Sequence, residues 1–201
     1  MKELELEDKG RALVVVAHPD DETIWMGGAL LRFSGLEWTI LSLCRASDDD
    51  RRPKFFRVCS HYGATGIITD LDDENKLSKK ATLPIIKKYI EEKIGRVKFD
   101  YLFTHGANGE YGHKRHKGAH QAVRDMLKSG ALNARQTFFF AYEPVGEHKA
   151  APRKDADIFL KLSPEEFKEK RRIVAEMYGY PYDGIDVGYC SAIEGFDFLR
   201  L

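Results

Sequence analysis

Residues Ala12-Leu13-Val14-Val15-Val16-Ala17-His18-Pro19-Asp20-Asp21-Glu22 decide how the chain reads. The first six are continuous, apolar and rich in β-branched side chains, the pattern of a strand buried on both faces of a parallel sheet. The run stops abruptly at His18-Pro19. Ile24 through Met26, Leu30, Leu31 and Phe33 then fall at helical spacing, with Gly35 placed to end the helix. In open α/β sheets ligands collect beyond the carboxyl ends of the strands, so the polar cluster from His18 to Glu22 stands where a site belongs.

Outward from this unit the same order recurs. Residues 38–44 read as a strand, and Asp48 to Asp50 with Pro53 open a helix that runs to about Tyr62 and is followed by Gly63. Residues 67–69 read as a short strand, and Thr82 with Pro84 opens a lysine-rich helix to Ile94. A strand at 100–104, a loop at 105–112 and a helix at 116–127 come next, then a strand at 137–142, a long loop at 143–155 and a last strand at 158–160. Ser163-Pro164-Glu165-Glu166 combines a capping box with proline in the first turn of a helix to about Tyr178. Residues 179–201 read as an irregular tail or subunit contact. The alternation predicts a single α/β domain over 1–201, a Rossmann-like three-layer α/β/α fold with a mostly parallel sheet.

Lys+Arg and Asp+Glu both number 32, so no net charge draws the chain to nucleic acid or anionic lipid. The apolar run at 12–17 is far too short to span a bilayer, and the acidic start at 1–9 lacks a signal-peptide core. The expectation is a soluble, cytoplasmic chain with no nucleic-acid partner and no membrane span. Three cysteines, Cys44, Cys59 and Cys190, give an odd count without CxxC spacing, which favours core thiols over a disulfide framework or thiolate zinc site. Any metal must then be held by histidines and carboxylates.

Two segments offer that chemistry. In the first, imidazole and carboxylate together suit zinc, and Asp20 and Asp21 cannot point the same way. One can bind metal while the other handles a proton. The plainer alternative is that His18-Pro19 stops the strand and the acids cap the next helix. The second segment, Gly109-Glu110-Tyr111-Gly112-His113-Lys114-Arg115-His116, follows the strand at 100–104. His113 and His116 are three apart, so a helix starting nearby turns them the same way, with His120 one turn further on. Here the plainer alternative is a solvated polar loop. The acids at 48–50 and at 70, 72 and 73 read as solvated caps, because they lack calcium-loop spacing.

The first block followed by Gly27-Gly28, and the second block in the same order along the chain, resemble the two motifs of the PIG-L/LmbE-like family of zinc-dependent N-deacetylases. The resemblance implies one zinc per chain held by His18, Asp21 and His116. It implies Asp20 as general base, and His113 as the group that stabilises the oxyanion or protonates the departing amine. Tyr111 takes a position that in relatives swings toward the substrate carbonyl. Arg52 sits where the family commonly carries an arginine, which would grip a substrate hydroxyl or anionic group. Many relatives have Pro-Asp between the two histidines where this chain has Lys114-Arg115, which removes an acidic neighbour of His113.

The implied reaction is removal of acetyl from an N-acetylated sugar of the N-acetylglucosamine type, in relatives that often assemble as homo-oligomers. Trp25, beside the first motif, is a candidate platform for a sugar face or, alternatively, helix core. The competing readings are a zinc amidase acting on a thiol conjugate, a glycoside antibiotic or another acylamine; a non-catalytic sugar- or nucleotide-binding module; and a two-metal phosphohydrolase. The binding module lacks a GxGxxG or P-loop after the first strand. The phosphohydrolase would need bridging carboxylates beyond the single adjacent pair.

Overall fold

The first strand, β1 (Arg11–Val16), alternates between two cores. Ala12, Val14 and Val16 face one hydrophobic cluster, while Leu13 and Val15 face another, so the strand is apolar throughout because both its faces are covered. The computed structural model describes residues 2–74 and 76–199. Beside β1 lie β2 (Glu37–Cys44), β3 (Thr65–Leu71), β4 (Lys98–Thr104) and β5 (Asn133–Phe140), all parallel to their neighbours. The sheet order is β3-β2-β1-β4-β5-β9-β8. Strand order therefore reverses between β1 and β4, which opens a crevice at their carboxyl ends.

Helices α1 (Asp21–Arg32), α2 (Arg51–His61) and α5 (Pro164–Arg172) cover one face, and α3 (Lys79–Ile94) and α4 (Lys114–Ser129) the other. The three-layer α/β/α architecture is thus as expected. Ser163 and Glu166 form the capping box at the start of α5, and Gly63 takes a left-handed φ of 67° after α2. A π-helical turn, Ile173–Met177, continues α5 toward Tyr178. No helix among the described residues is long and apolar enough to cross a membrane.

Two expectations are corrected. The loop predicted at 143–155 contains a hairpin, β6 (Tyr142–Gly146) and β7 (Lys149–Pro152), masked in sequence by Pro144 and Gly146. The predicted C-terminal tail instead supplies a short helix, α6 (Ile185–Gly188), and strand β9 (Ile193–Phe198). Strand β9 inserts between β5 and β8 (Ile158–Lys161), antiparallel to both. Residues 200 and 201 of that stretch lie outside the described residues.

Helix α1 is not continuous. Met26 has φ −146° and ψ 21°, and the Glu194 carboxylate of β9 accepts the amides of Gly28 (2.7 Å) and Ala29 (2.9 Å) just beyond this break. A carboxylate there satisfies amide donors that the interrupted helix leaves open. Leu162 packs so closely on Gly28 that a Cβ at that position would meet its Cδ2 at 2.1 Å.

Candidate metal and catalytic centre

The crevice holds the first motif at the end of β1 and the second between β4 and α4. Asp20, the residue before α1, has φ 119°, a conformation that costs a non-glycine residue about 1–3 kcal/mol. Buried Glu22 holds it there by accepting the Asp20 amide at 3.1 Å, while Thr23 (2.7 Å) and Tyr178 (2.8 Å) donate to the other Glu22 oxygen. This turn separates the two acids as their adjacency demands. Asp21 points toward the histidines, and Asp20 Oδ2 meets Arg51 and Tyr180.

Three atoms from the two motifs converge. His18 Nδ1 lies 3.0 Å from Asp21 Oδ2, His116 Nε2 lies 3.3 Å from His18 Nδ1, and His116 Nε2 lies 3.4 Å from Asp21 Oδ2. Tetrahedral bonds of roughly 2.0–2.1 Å to zinc would set ligand atoms about 3.3–3.4 Å apart, so the triangle has the size of one face of such a site. The outer nitrogens are also occupied as metal-ligating imidazoles require. His18 Nε2 is 2.8 Å from Asp73 Oδ1, and His116 Nδ1 is 2.5 Å from Glu110 Oε2, which leaves the inner nitrogens free to ligate. Trp25 Nε1 donates to the second Asp21 oxygen at 2.9 Å.

Other groupings in the cluster serve less well. His105 also lies near Asp21 and His116, but its Nε2 accepts the Ala17 amide at 2.9 Å while its Nδ1 faces Glu110 at 2.9 Å. A set of His18, Cys44 and Asp73 would need a thiolate, and burial pushes the Cys44 thiol far above its ordinary value. Glu110 is fully enclosed. Burial opposes its charge, yet His105 and His116 hold its carboxyl down at about 2, so it stays an acceptor for both rings. Glycines 109 and 112, both with positive φ, shape the turn that tucks Glu110 under α4.

His113 is the residue that caps α4, and its ring centroid stands 4.8 Å from that of His18. Burial, with His116 and His18 close by, pushes it down to about 4, so it is a neutral imidazole near pH 7. Lys114-Arg115 does not compensate for the missing acid. Arg115 is buried and turned away, donating to Asp72 (2.5 Å) and the Leu77 carbonyl (3.2 Å). Tyr111, partly exposed, stacks on Tyr189 with ring centroids 5.1 Å apart.

Several expected placements change. Arg52 lies exposed on α2 over Phe56, outside the cleft, while Arg51 reaches in to Asp20 Oδ2 at 3.0 Å and to the Tyr180 hydroxyl. Trp25 is fully buried against Tyr142, so it supports Asp21 rather than offering a face to a sugar. His120 turns to the His105 carbonyl (2.9 Å) and does not join the triangle. Asp72 and Asp73 are ion-pair partners of Arg115 and His18, not solvated caps. Sequence reading missed Tyr180, Asp186 and Tyr189, which the C-terminal segment brings to a cleft of about 500 Å³.

The model of the GlcNAc-PI de-N-acetylase family, PIG-L, matches residues 13–127, which takes in both motifs and more than half of the chain. The chain belongs to the PIG-L family. An uncharacterized protein, L374, of Acanthamoeba polyphaga mimivirus is 25% identical over 134 residues, covering 59% of this chain and 58% of that protein. This PIG-L chain thus spans less than two thirds of that relative's length. Solved structures share the PIG-L member's fold. The 4-carboxy-2-hydroxymuconate hydratase GalB of Pseudomonas putida KT2440 has a TM-score of 0.65 at 16% identity, covering 95% of this chain and 96% of that one. An A40926 pseudoaglycone deacetylase has 0.64 at 14% (84% and 81% covered). The N,N'-diacetylchitobiose deacetylase of Pyrococcus horikoshii has 0.64 at 13% (94% and 83% covered).

Proposed function

We propose that this PIG-L chain is a zinc-dependent N-deacetylase acting on an N-acetylated sugar of the N-acetylglucosamine type. The observation that carries the reading is the triangle of His18 Nδ1, Asp21 Oδ2 and His116 Nε2, 3.0–3.4 Å on a side, in a cleft that Asp20 also lines. His18, Asp21 and His116 would hold the ion, which when bound supplies Lewis acidity and makes water a usable nucleophile near neutral pH. Membership of the GlcNAc-PI de-N-acetylase family and the likeness to the chitobiose deacetylase support the sugar acetamide as substrate.

The chain's own groups perform the proton and charge work. Asp20 Oδ2 is held by Arg51 and Tyr180, and its other oxygen has no hydrogen-bond partner among the described residues. That oxygen takes the proton of the attacking water. Burial and the Asp21 charge raise the Asp20 carboxyl above its ordinary value, against the pull of Tyr180 and Arg51, and its ionised form is the proton acceptor. His113, neutral, donates from its ring to the oxygen of the amide carbonyl as negative charge develops there. Asp20 then returns its proton to the departing amine, so the products are acetate and a free amino sugar.

The test is metal content together with acetate release from N-acetylglucosamine and N,N'-diacetylchitobiose. The expected result is about one zinc per chain, lost in His116→Ala, and activity lost with metal retained in Asp20→Ala. Absence of metal after zinc reconstitution overturns the mechanism. A zinc-loaded protein that releases no acetate from any acylamine, but hydrates an unsaturated carboxylate, would place its chemistry with the hydratase.

A further inference from the structure

The charges around the cleft bear on which acylamines can enter. Two arginines line it, and each faces a carboxylate. Arg45 pairs with Asp73 at 2.6 Å and Asp48 at 3.4 Å, and Arg51 pairs with Asp20 at 3.0 Å. Asp73 in turn is engaged by His18, and Asp48 accepts the amides of Asp50 and Arg51 at the start of α2. The charge of each arginine is thus already balanced by a carboxylate, and the acids lining the cleft, Asp20, Asp21, Asp48, Asp73 and Asp186, outnumber the two arginines.

Asp186, on α6, differs from the other acids lining the cleft. It is half-buried, and no side chain among the described residues pairs with it. Burial raises its carboxyl above the ordinary value, while its own backbone amide and the charge of Arg51 oppose the rise. Three residues further on, Tyr189 lies against Tyr111 at an interplanar angle of 17°, so an aromatic surface borders this acceptor. A carboxylate accepts through two oxygens and donates nothing, which suits hydroxyl groups and repels anions.

We propose that Asp186 is a specificity-determining residue that accepts hydrogen bonds from hydroxyl groups of an uncharged sugar, and that the cleft selects neutral N-acetyl sugars over anionic ones. This rests on the deacetylase reading for the name of the reaction, but binding tests it separately. On this account a phosphodiester-linked sugar such as the family's name describes is a poor substrate for this chain, with Arg51 set on Asp20 and Arg45 on Asp73 and Asp48.

The experiment compares N-acetylglucosamine with N-acetylglucosamine 1-phosphate, in wild type and Asp186→Asn, both loaded with zinc. Calorimetric binding and kcat/KM for acetate release are measured side by side. Wild type is expected to favour the neutral sugar at least tenfold, and Asp186→Asn to shrink that ratio at least threefold, chiefly through KM. A structural role alone would weaken both sugars equally. Equal or tighter wild-type binding of the phosphorylated sugar, or an unchanged ratio in Asp186→Asn, overturns the proposal. Selective binding without acetate release supports the selectivity and overturns the deacetylase reading instead.

Discussion

Lys170 Nζ and Glu194 Oε1 meet at 2.7 Å with neither side chain exposed, directly beside the break in α1. Glu194 also holds the Gly28 and Ala29 amides, so this pair ties α5, β9 and the helix that begins at Asp21. Removing one charge would strand the other in the core. Lys170→Met is expected to cost about 3–5 kcal/mol of stability in urea unfolding. The double variant Lys170→Met/Glu194→Gln should lose less than the two single losses combined; additive losses would argue against direct coupling.

Glu110→Gln tests the shell behind the metal triangle. The amide keeps one acceptor oxygen but no charge, so it serves His105 and His116 less well than the carboxylate 2.9 Å and 2.5 Å from them. Zinc affinity, measured by chelator competition, is expected to drop roughly ten- to a hundredfold. Unchanged affinity would mean that Glu110 only shapes the turn.

Tyr180→Phe removes a donor to Asp20 while keeping the ring, which lies 4.5 Å from the Arg51 guanidinium. The expected outcome is a kcat lower by roughly tenfold to a hundredfold, a KM nearly unchanged, and full metal content. A rise in KM alone would mean that Tyr180 contacts substrate instead of orienting the base.

Arg32 and Glu166 join α1 to α5 through contacts of 2.9 and 2.5 Å. The hydrogen bond from Arg32 holds the Glu166 carboxyl below its ordinary 4.5 despite partial burial. Because the folded value is depressed, the unfolded chain takes up protons first as pH falls. The contribution is thus complete above the unfolded value and lost as pH drops through the folded one. The stability difference between wild type and Glu166→Gln, roughly 1 kcal/mol at neutral pH given partial exposure, should shrink as pH falls below the ordinary 4.5 and through the lower folded value. A difference independent of pH would assign the effect to the capping box with Ser163.

What could be read from the sequence was local. His18, Asp20, Asp21 and His116 sit in short motifs at strand ends, where one turn of chain sets which way each side chain points. Arg51 and Arg52 differ only in helical phase, and a shift of one residue in where α2 begins exchanges the inward arginine for the outward one. Strand β9 escaped because a buried Glu194, a glycine and Asp197 interrupt its apolar pattern, and their partners lie on other elements: the Gly28 and Ala29 amides of α1, Lys170 of α5, and Arg153 beyond β7. Asp73, Tyr180 and Asp186 have no local signature for the same reason: tertiary packing alone brings them to the cleft.

The indole of Trp25 donates to one oxygen of Asp21 while the other oxygen faces His18 and His116. A cation entering the triangle changes the electric field at that indole directly, so its emission should shift or quench with loading. The only other tryptophan, Trp38, hydrogen-bonds the Phe33 carbonyl and pairs with Ala12 at the start of β1, the end opposite His18. Replacing Trp38 with phenylalanine would therefore leave a single intrinsic fluorophore, turning occupancy of the centre into an optical signal without any attached label.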